Sequence, residues 1–294
     1  MKTIVITGTS SGFGLLAAKS AAKEGHKVWA TMRNTNGKNA AKKNELEAYS
    51  KKENLNLKVL DLDVTSSTSV ESAIEKIIGE DAKIDVLVNN AGVMFVGISE
   101  AYSIEQMQQQ FDVNFFGTVR LIKAITPYMR SQKDGLIINI TSLAGRLSFP
   151  YFGVYCASKH AVEAYSQSLR YELAPFGVET CIIEPGPFGT NLLYTGPKEA
   201  DVETYESYGD HKTVPSAMLK NFEGFYETDQ ALDPQLVAND ILKLIQQEKG
   251  TRPVRTVTGI DYGTISFNER TQPIQDSLVS EALQMGHLLE INTQ

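Results

Sequence analysis

The sequence contains few of the residues that build disulfide frameworks or metal sites. Among its 294 residues there are two cysteines, Cys156 and Cys181, and four histidines that show no HExxH or similar spacing. Two isolated cysteines form no disulfide framework, so we expect both to be buried free thiols. We expect no metal ion held by protein ligands.

Positive charge and long apolar runs are scarce as well. Lys and Arg total 28 against 35 for Asp and Glu, a formal net charge of -7, so no global basic field would attract nucleic acid or anionic lipid. No apolar run approaches the roughly 18 residues of a membrane span, and the first β-branched run begins at Thr3, which leaves no room for a signal peptide. We therefore predict a cytoplasmic protein whose partners are small molecules.

The apolar residues that are present suffice for one sizeable core. Hydrophobic residues make up 42% of the chain and charged residues 21%, which is a globular balance. A chain of this length is ordinary for an α/β domain. We predict one domain over residues 1–260, followed by a C-terminal extension over residues 261–294.

Short β-branched runs alternate with helix-like segments, and this alternation is typical of βαβ units that build a parallel sheet. The predicted strands cover 3–8, 27–33, 57–64, 84–90, 135–142 and 178–186, with a seventh at 254–259. The predicted helices cover 13–24, 39–53, 66–79, 103–132, 151–174 and 234–248, and the segment 103–132 is long enough to be one extended helix or two with a bend. The fold class predicted is α/β, a Rossmann-type doubly wound parallel sheet of about seven strands in a single domain.

Residues 187–230 break this alternation with glycine, proline, polar residues and tyrosines, so we predict a functional loop there, the substrate loop. Apolar residues in and near this loop could wall a pocket for a bulky ketone or alcohol, although such residues are as often core packing. They are Val93, Met94, Phe95, Phe149, Phe188, Leu192, Leu193, Tyr194, Met218, Phe222, Phe225 and Tyr226.

The C-terminal extension carries an apolar face at Leu278, Ala282, Met285 and Leu289. A helix docked on the domain is the favoured interpretation, ahead of a dimer contact and of a membrane-surface anchor.

The first predicted strand is followed directly by TGTSSGFG and a helix of small residues. Gly8, Gly12 and Gly14 let the chain turn tightly, let its backbone approach a pyrophosphate and let the helix pack closely on the strand. The helix N-terminus then presents N–H groups and a partial positive charge to the phosphates. Strand, loop and helix in this order predict a dinucleotide site and make residues 1–260 a dinucleotide-binding catalytic domain.

The second predicted strand ends at Thr31-Met32-Arg33-Asn34, without the acid that usually meets an unmodified ribose. Arg33 could instead face a 2′-phosphate, with Ser10 and Ser11 as hydroxyl donors. The alternative is an ordinary surface arginine. We predict a preference for NADP(H), with NAD(H) as the second possibility.

Two further strand ends are candidates for cofactor contacts. Asp63 could accept a hydrogen bond from the adenine amino group, or could be a solvated strand end. In NNAG, residues 89–92, Ala91 and Gly92 permit close approach of the backbone to a ribose or ring, and Asn90 lies beside them; the asparagines could equally satisfy backbone groups.

These motifs occur in one order with others: TGTSSGFG, NNAG, Asn114 in FDVNFFG, Ser142 in INITS, YCASK and PGPFGT. Together they resemble the short-chain dehydrogenase/reductase family in its single-domain branch, over roughly residues 3–260. KVWATMRN and RPVRTVTG are similar to the hydroxysteroid and retinol dehydrogenase-like branch and to bacterial ketoreductases. Phe13 departs from the branched aliphatic residue usual at its position.

The resemblance implies a catalytic set. Tyr155 would be the general acid in carbonyl reduction and the base in alcohol oxidation, and Lys159 would hold the nicotinamide ribose and lower the pKa of the phenol. Ser142 would polarise the substrate oxygen, and Asn114 would hold a water in a proton relay. The positions that line the cofactor in the family are matched by Gly8, Ser11, Phe13, Arg33, Asp63, Val64, Asn90, Pro185, Gly186, Phe188 and Thr190.

The spacing of Tyr155 and Lys159 supports this assignment, because residues four apart on a helix are neighbours. An acid/base catalyst works best when it titrates near the working pH, so a tyrosine must lose about three pKa units. One cation at about 4 Å in an effective dielectric constant of 20 supplies about 4 kcal/mol, or roughly three units.

We therefore predict hydride transfer between NADP(H) and a hydrophobic ketone, aldehyde or secondary alcohol. A 3-oxoacyl thioester reductase is an alternative that would want basic residues for its carrier, and a non-catalytic NADP-sensing protein is another. Epimerase or dehydratase relatives usually need a larger C-terminal domain than this chain has. The resemblance also implies a homodimer or homotetramer formed through the helices at 103–132 and 151–174.

Overall fold

A computed structural model describes residues 1–293, and within that range seven strands form one parallel sheet. Their order across the sheet is β3-β2-β1-β4-β5-β6-β7. This confirms the predicted single-domain Rossmann-type fold. The strands are β1 (Thr3–Thr7), β2 (Lys27–Met32), β3 (Leu57–Asp61), β4 (Val86–Asn89), β5 (Gly135–Ile140), β6 (Val178–Pro185) and β7 (Arg255–Thr258).

Helices cover both faces of the sheet. They are α1 (Gly12–Lys23), α2 (Ala40–Lys52), α3 (Ser67–Asp81), α4 (Ile104–Phe111), α5 (Gly117–Gln132), α6 (Gly153–Leu173), α7 (Val202–Ser207), α8 (Val214–Tyr226), α9 (Gln235–Gln246) and α10 (Thr264–Ser277). Every helix predicted from the sequence is present in the described residues, with small changes at its ends.

Successive strand residues enter opposite halves of the core, because side chains alternate along a strand. Ile4 and Ile6 of β1 pack with α1, α2 and α9, whereas Val5 between them packs with α3, α5 and α6. Both faces of the inner strands are thus buried, which is why most of these strands are nearly continuous apolar runs rather than alternating patterns.

The long helical segment at 103–132 is divided rather than continuous. A π-helical turn, Asp112–Phe116, separates α4 from α5 and carries Asn114. Such a turn inserts one residue into the helical register, and π-turns occur frequently at functional sites.

The C-terminal extension begins its helix earlier than its apolar face predicts. The helix α10 starts at Thr264 and ends in a second π-helical turn, Leu278–Ala282. That turn directs Val279 inward, while Leu278 and Met285 are 47% and 46% exposed. The prediction that Leu278, Ala282, Met285 and Leu289 form the docking face is therefore wrong. Gln294, the last residue of the predicted extension, lies outside the described residues.

Both cysteines are buried free thiols, as predicted. Within residues 1–293, no group of three or more His, Cys, Asp or Glu side chains is placed to hold a metal ion. No helix in the same range is both long enough and apolar enough to cross a membrane.

Candidate active site

The carboxyl ends of the central strands open into a cleft of about 490 Å³. Ligands bind at this edge in open parallel sheets, where the strand order reverses beside β1. Most residues predicted to bind cofactor or substrate line this cleft. They are Gly8, Ser10, Ser11, Gly12, Phe13, Arg33, Asp63, Val64, Asn90, Ala91, Gly92, Ser142, Tyr155, Lys159, Pro185, Gly186, Phe188 and Thr190.

The glycine loop is held in place by Asn90. Its Nδ2 donates to the main-chain oxygens of Thr7 (2.8 Å) and Gly8 (3.2 Å). A Cβ added at Gly14 would lie 2.4 Å from this Nδ2, and one added at Gly8, whose φ is +70°, would lie 2.8 Å from Ala91 Cα. Gly8 and Gly14 are thus required by turn and packing, and the Asn90 side chain satisfies backbone groups.

The N-terminus of α1 faces the cleft. Its N-cap is Ser11, whose side chain makes no capping hydrogen bond. The partial positive charge and N–H groups of a helix N-terminus suit an anion. Ser10, Ser11 and Phe13 line the cleft at this point, which fits the pyrophosphate of a dinucleotide.

The far end of the cleft carries two cations, Arg33 and Lys38. Sequence reasoning missed Lys38, which is brought to the cleft by a turn with Asn34 in the left-handed region (φ 55°). Asn39 Nδ2 donates to the main-chain oxygen of Arg33 at 2.7 Å and joins the two ends of this turn. Asp63 also lines the cleft, and its Oδ1 accepts from the main-chain N–H of Thr65 at 2.9 Å.

Ser142 and Tyr155 meet at the centre of the cleft. Ser142 follows β5 in extended conformation, and its Oγ accepts from the N–H of Ala144 at 3.1 Å, so its proton is free to be donated. Tyr155 on α6 is 4% exposed. Burial raises the pKa of Tyr155 well above its usual value, and a hydrogen bond with Ser142 opposes this.

Lys159 lies one turn after Tyr155 and is also buried. Its Nζ donates to the main-chain oxygen of Ile140 at 2.9 Å and lies 5.8 Å from the centre of the Tyr155 ring. Burial lowers the pKa of Lys159 to about 8, and the negative charge of Glu163 opposes this. At this longer distance a charged lysine would favour the phenolate by about 3 kcal/mol, roughly two pKa units, at a dielectric constant near 20. The lowering of the Tyr155 pKa by Lys159 stays a prediction.

Asn114 lies behind the cleft and supports its wall. Its Oδ1 accepts from Val93 N at 2.8 Å, and its Nδ2 donates to Val93 O at 2.9 Å and Ser158 Oγ at 3.0 Å. Its main-chain oxygen accepts from Thr118 Oγ1 at 3.0 Å. The side chain thus fixes the turn after NNAG, and the water relay through Asn114 stays a prediction.

An apolar wall closes the other end of the cleft. Of the residues predicted for it, the cleft is lined by Val93, Met94, Phe149, Phe188, Leu192, Leu193, Phe222 and Tyr226. Phe152 and Tyr262 join them without having been predicted. Phe95 packs with Tyr102 in the core instead, and Tyr194 is exposed and donates to Glu223. Met218 packs behind the wall, and Phe225 contacts the ring of Tyr226.

The substrate loop is tied to the segment after β4. Met94 N donates to Thr195 Oγ1 at 2.8 Å, and Ile98 N donates to Glu199 Oε1 at 3.0 Å. These contacts hold the segment that carries Leu192 and Leu193 in place, and both side chains form part of the apolar wall.

Residues 2–200 match the family model described as short chain dehydrogenase. The chain belongs to the short-chain dehydrogenase/reductase family. This confirms the family predicted from the motifs and makes the protein an oxidoreductase by class.

Members of the short-chain dehydrogenase/reductase family with similar sequences cover almost the whole chain. The 3-ketodihydrosphingosine reductase of Bacteroides thetaiotaomicron is 42% identical over 287 residues, covering 97% of this chain and 98% of its own. Retinol dehydrogenase 8 of Bos taurus is 36% identical over 269 residues, covering 89% and 82%.

Solved structures of the family have the same fold. A short-chain dehydrogenase from Streptomyces avermitilis has a TM-score of 0.72 at 29% identity and covers 97% of this chain and 98% of its own. A serine dehydrogenase complexed with NADP⁺ has a TM-score of 0.71 at 27% identity and covers 87% and 93%.

Proposed function

We propose that this protein transfers a hydride between NADP(H) and the carbonyl carbon of a bulky apolar ketone or aldehyde, or the corresponding alcohol. The observation that carries the proposal is the convergence of Ser142 and Tyr155 between a glycine loop and an apolar wall in one cleft. A nucleotide thus fits at one end and an apolar carbonyl compound at the other.

The nicotinamide cofactor, when bound, supplies or accepts the hydride. Ser142 donates a hydrogen bond to the substrate oxygen, on which negative charge develops during reduction. Tyr155 then gives its hydroxyl proton to that oxygen, and in the reverse direction it removes the proton from the alcohol. Lys159 holds a positive charge one helical turn away and so favours the phenolate.

The preference for NADP(H) is supported by Arg33 and Lys38 at the adenosine end of the cleft. A 2′-phosphate carries negative charge and accepts several hydrogen bonds, and the planar guanidinium of Arg33 suits its geometry. Binding of NADP⁺ by the similar serine dehydrogenase is consistent with this preference.

The apolar wall favours a substrate with a large hydrocarbon portion. Phe152 and Phe222 form an edge-to-face pair, 6.4 Å between ring centres, and Phe222 stacks on Tyr226 at 6.3 Å. Such a surface suits an alkyl chain or a fused ring system rather than a sugar. The name of the Bacteroides relative makes a long-chain 3-keto amine the first substrate to test.

The test is consumption of NADPH and of NADH by the purified protein with a panel of carbonyl compounds. The panel contains a long-chain 3-keto amine, a steroid ketone, retinal, an aryl ketone and a 3-oxoacyl thioester. We expect turnover with at least one bulky apolar carbonyl and a higher efficiency with NADPH. Turnover confined to the thioester would instead favour the acyl thioester reductase, and NADPH binding without turnover would favour the sensing protein. The molar mass from light scattering tests the predicted homodimer or homotetramer.

A further inference from the structure

Glu163 lies four residues after Lys159 on α6 and is 2% exposed. Both of its carboxylate oxygens have partners. Oε1 accepts from Thr141 Oγ1 at 2.6 Å, and Oε2 accepts from Arg255 Nε at 2.9 Å. The carboxylate is therefore fixed between the end of β5, directly before Ser142, and the start of β7.

A larger cluster of buried charges surrounds this carboxylate. Arg255 Nε also lies 3.4 Å from Glu184 Oε1 on β6, and Arg146 Nε lies 4.0 Å from the same oxygen. Burial, reinforced by the negative charge of Glu163, raises the pKa of Glu184 to about 8. The positive charges of Arg255 and Arg146 and a hydrogen bond from Asn268 oppose this rise.

The C-terminal extension holds the two arginines in place. Gln272 Oε1 accepts from Arg255 Nη1 at 2.8 Å, and Asn268 Oδ1 accepts from Arg146 Nε at 2.8 Å. The side chains of α10 that contact the cluster are uncharged: Asn268, Thr271 and Gln272. The charged groups that face Glu163 are therefore Lys159 on its own helix, Arg146 after β5, Glu184 on β6 and Arg255 on β7.

Lys159 needs such a partner, because burial favours its neutral form. Its hydrogen bond to the oxygen of Ile140 contributes a dipole but no charge. A neutral Lys159 could not stabilise the phenolate of Tyr155. Glu163 is the acidic group whose charge opposes the effect of burial on Lys159.

We propose that Glu163 is a positioning residue that keeps the Lys159 ammonium charged. Glu163 acts on Tyr155 through the charge of Lys159, which lies one helical turn from each of them. The consequence for turnover rests on the proposed function, in which Tyr155 exchanges a proton with the substrate oxygen.

The first test compares Glu163→Gln with the unsubstituted protein by NMR. The lysine Cε carbons are labelled with ¹³C, and the Lys159 signal is assigned by its loss in Lys159→Met. Removing the carboxylate charge should lower the titration midpoint of Lys159 by about one to two pH units. Residues four apart on a helix have Cβ atoms about 5–6 Å apart, and opposite charges at such a separation interact by this amount at an effective dielectric constant near 20. An unchanged midpoint would overturn the proposal.

Arg255→Gln should shift the Lys159 midpoint in the opposite direction. It removes the cation that shares the Glu163 carboxylate, so Lys159 should titrate at a higher pH. Loss of packing alone would move both variants in the same direction, and that result would also overturn the proposal. If only one of the two variants folds, the sign of its shift decides: a Lys159 midpoint that rises in Glu163→Gln, or falls in Arg255→Gln, overturns the proposal. Glu163→Asp keeps the carboxylate and should shift the Lys159 midpoint only slightly. Glu172→Gln is an exposed substitution on the same helix and should leave the Lys159 midpoint unchanged.

The second test is the pH profile of kcat/KM for alcohol oxidation, in which Tyr155 must lose its proton. The rising limb should move to higher pH in Glu163→Gln and to lower pH in Arg255→Gln. If the unsubstituted protein shows no turnover while the Lys159 midpoints shift as expected, the proposed function fails and the role of Glu163 at Lys159 stands. If turnover is normal and the midpoints do not shift, the proposed function stands and this inference fails.

Discussion

Replacing Lys159 by Met should make the protein more stable at neutral pH. The folded protein lowers the pKa of Lys159 from 10.5 to about 8, so the buried ammonium is disfavoured in the native state. A difference of about 2.5 units corresponds to about 3 kcal/mol of lost stability wherever the lysine is charged in both states. The main-chain oxygen of Ile140 loses a hydrogen bond from a charged donor in the variant, which costs about 2 kcal/mol.

The net gain in the free energy of unfolding of Lys159→Met is thus about 1 kcal/mol. An unfolding entropy of about 0.6 kcal/mol/K for a chain of this length converts this to a rise in Tm of about 2 °C. The sign of the pH dependence follows from the two pKa values. Between pH 8 and 10.5 the unfolded chain binds more protons at Lys159 than the native state does, so the unsubstituted protein gains stability as the pH rises. The difference in the free energy of unfolding between Lys159→Met and the unsubstituted protein should be largest below pH 8 and should decrease towards pH 10.5.

The assay is urea unfolding followed by circular dichroism from pH 6 to 10, with catalytic activity measured on the same samples. Lys76→Met replaces an exposed lysine and should leave the free energy of unfolding unchanged. A Lys159→Met protein that is less stable than the unsubstituted protein at pH 7 would contradict a destabilising effect of the buried ammonium. A stability difference that does not change with pH would contradict it as well.

Three further substitutions test other parts of the cleft. Arg33→Asp should lower kcat/KM with NADPH by about tenfold to a hundredfold relative to NADH, since a hydrogen bond to a charged group contributes about 1.5–3 kcal/mol; an unchanged ratio from initial rates would remove Arg33 from the cofactor site. Ser142→Ala should reduce kcat by about a hundredfold or more, because its donor acts mainly on the charge of the transition state; a rise in KM alone would make it a binding residue. Phe222→Ala should raise KM for a long-chain ketone more than for a small one, and equal effects on both would exclude its ring from the substrate surface.

The fold could be predicted because its signals are local. The five inner strands of the sheet are apolar runs such as Thr3–Thr7, buried on both faces, and the edge strands β3 and β7 are partly exposed. Each strand is followed by a helical segment. The glycine loop was equally predictable, because Gly8 lies close to Ala91 and Gly14 lies close to Asn90, and only glycine leaves room for these contacts.

What sequence reasoning missed depends on distant contacts. Lys38 reaches the cleft because the chain turns back at Asn34. The Asn36-Gly37 pair marks a turn, but it does not indicate which later side chain the turn brings to the cleft. Glu163 shows a visible four-residue spacing from Lys159, but its partner Arg255 is 92 residues away in the chain. In the tail, a π-helical turn placed Val279 inward in place of the expected apolar face.

Turnover by Tyr155→Phe tests directly whether Tyr155 exchanges a proton with the substrate. This variant removes one hydroxyl from a side chain that is almost entirely buried, so the fold and the rest of the cleft should be retained. NADPH binding, followed by its fluorescence, should stay nearly unchanged, while kcat should fall by about a thousandfold. Substantial turnover by the phenylalanine variant would contradict Tyr155 as the group that exchanges a proton with the substrate.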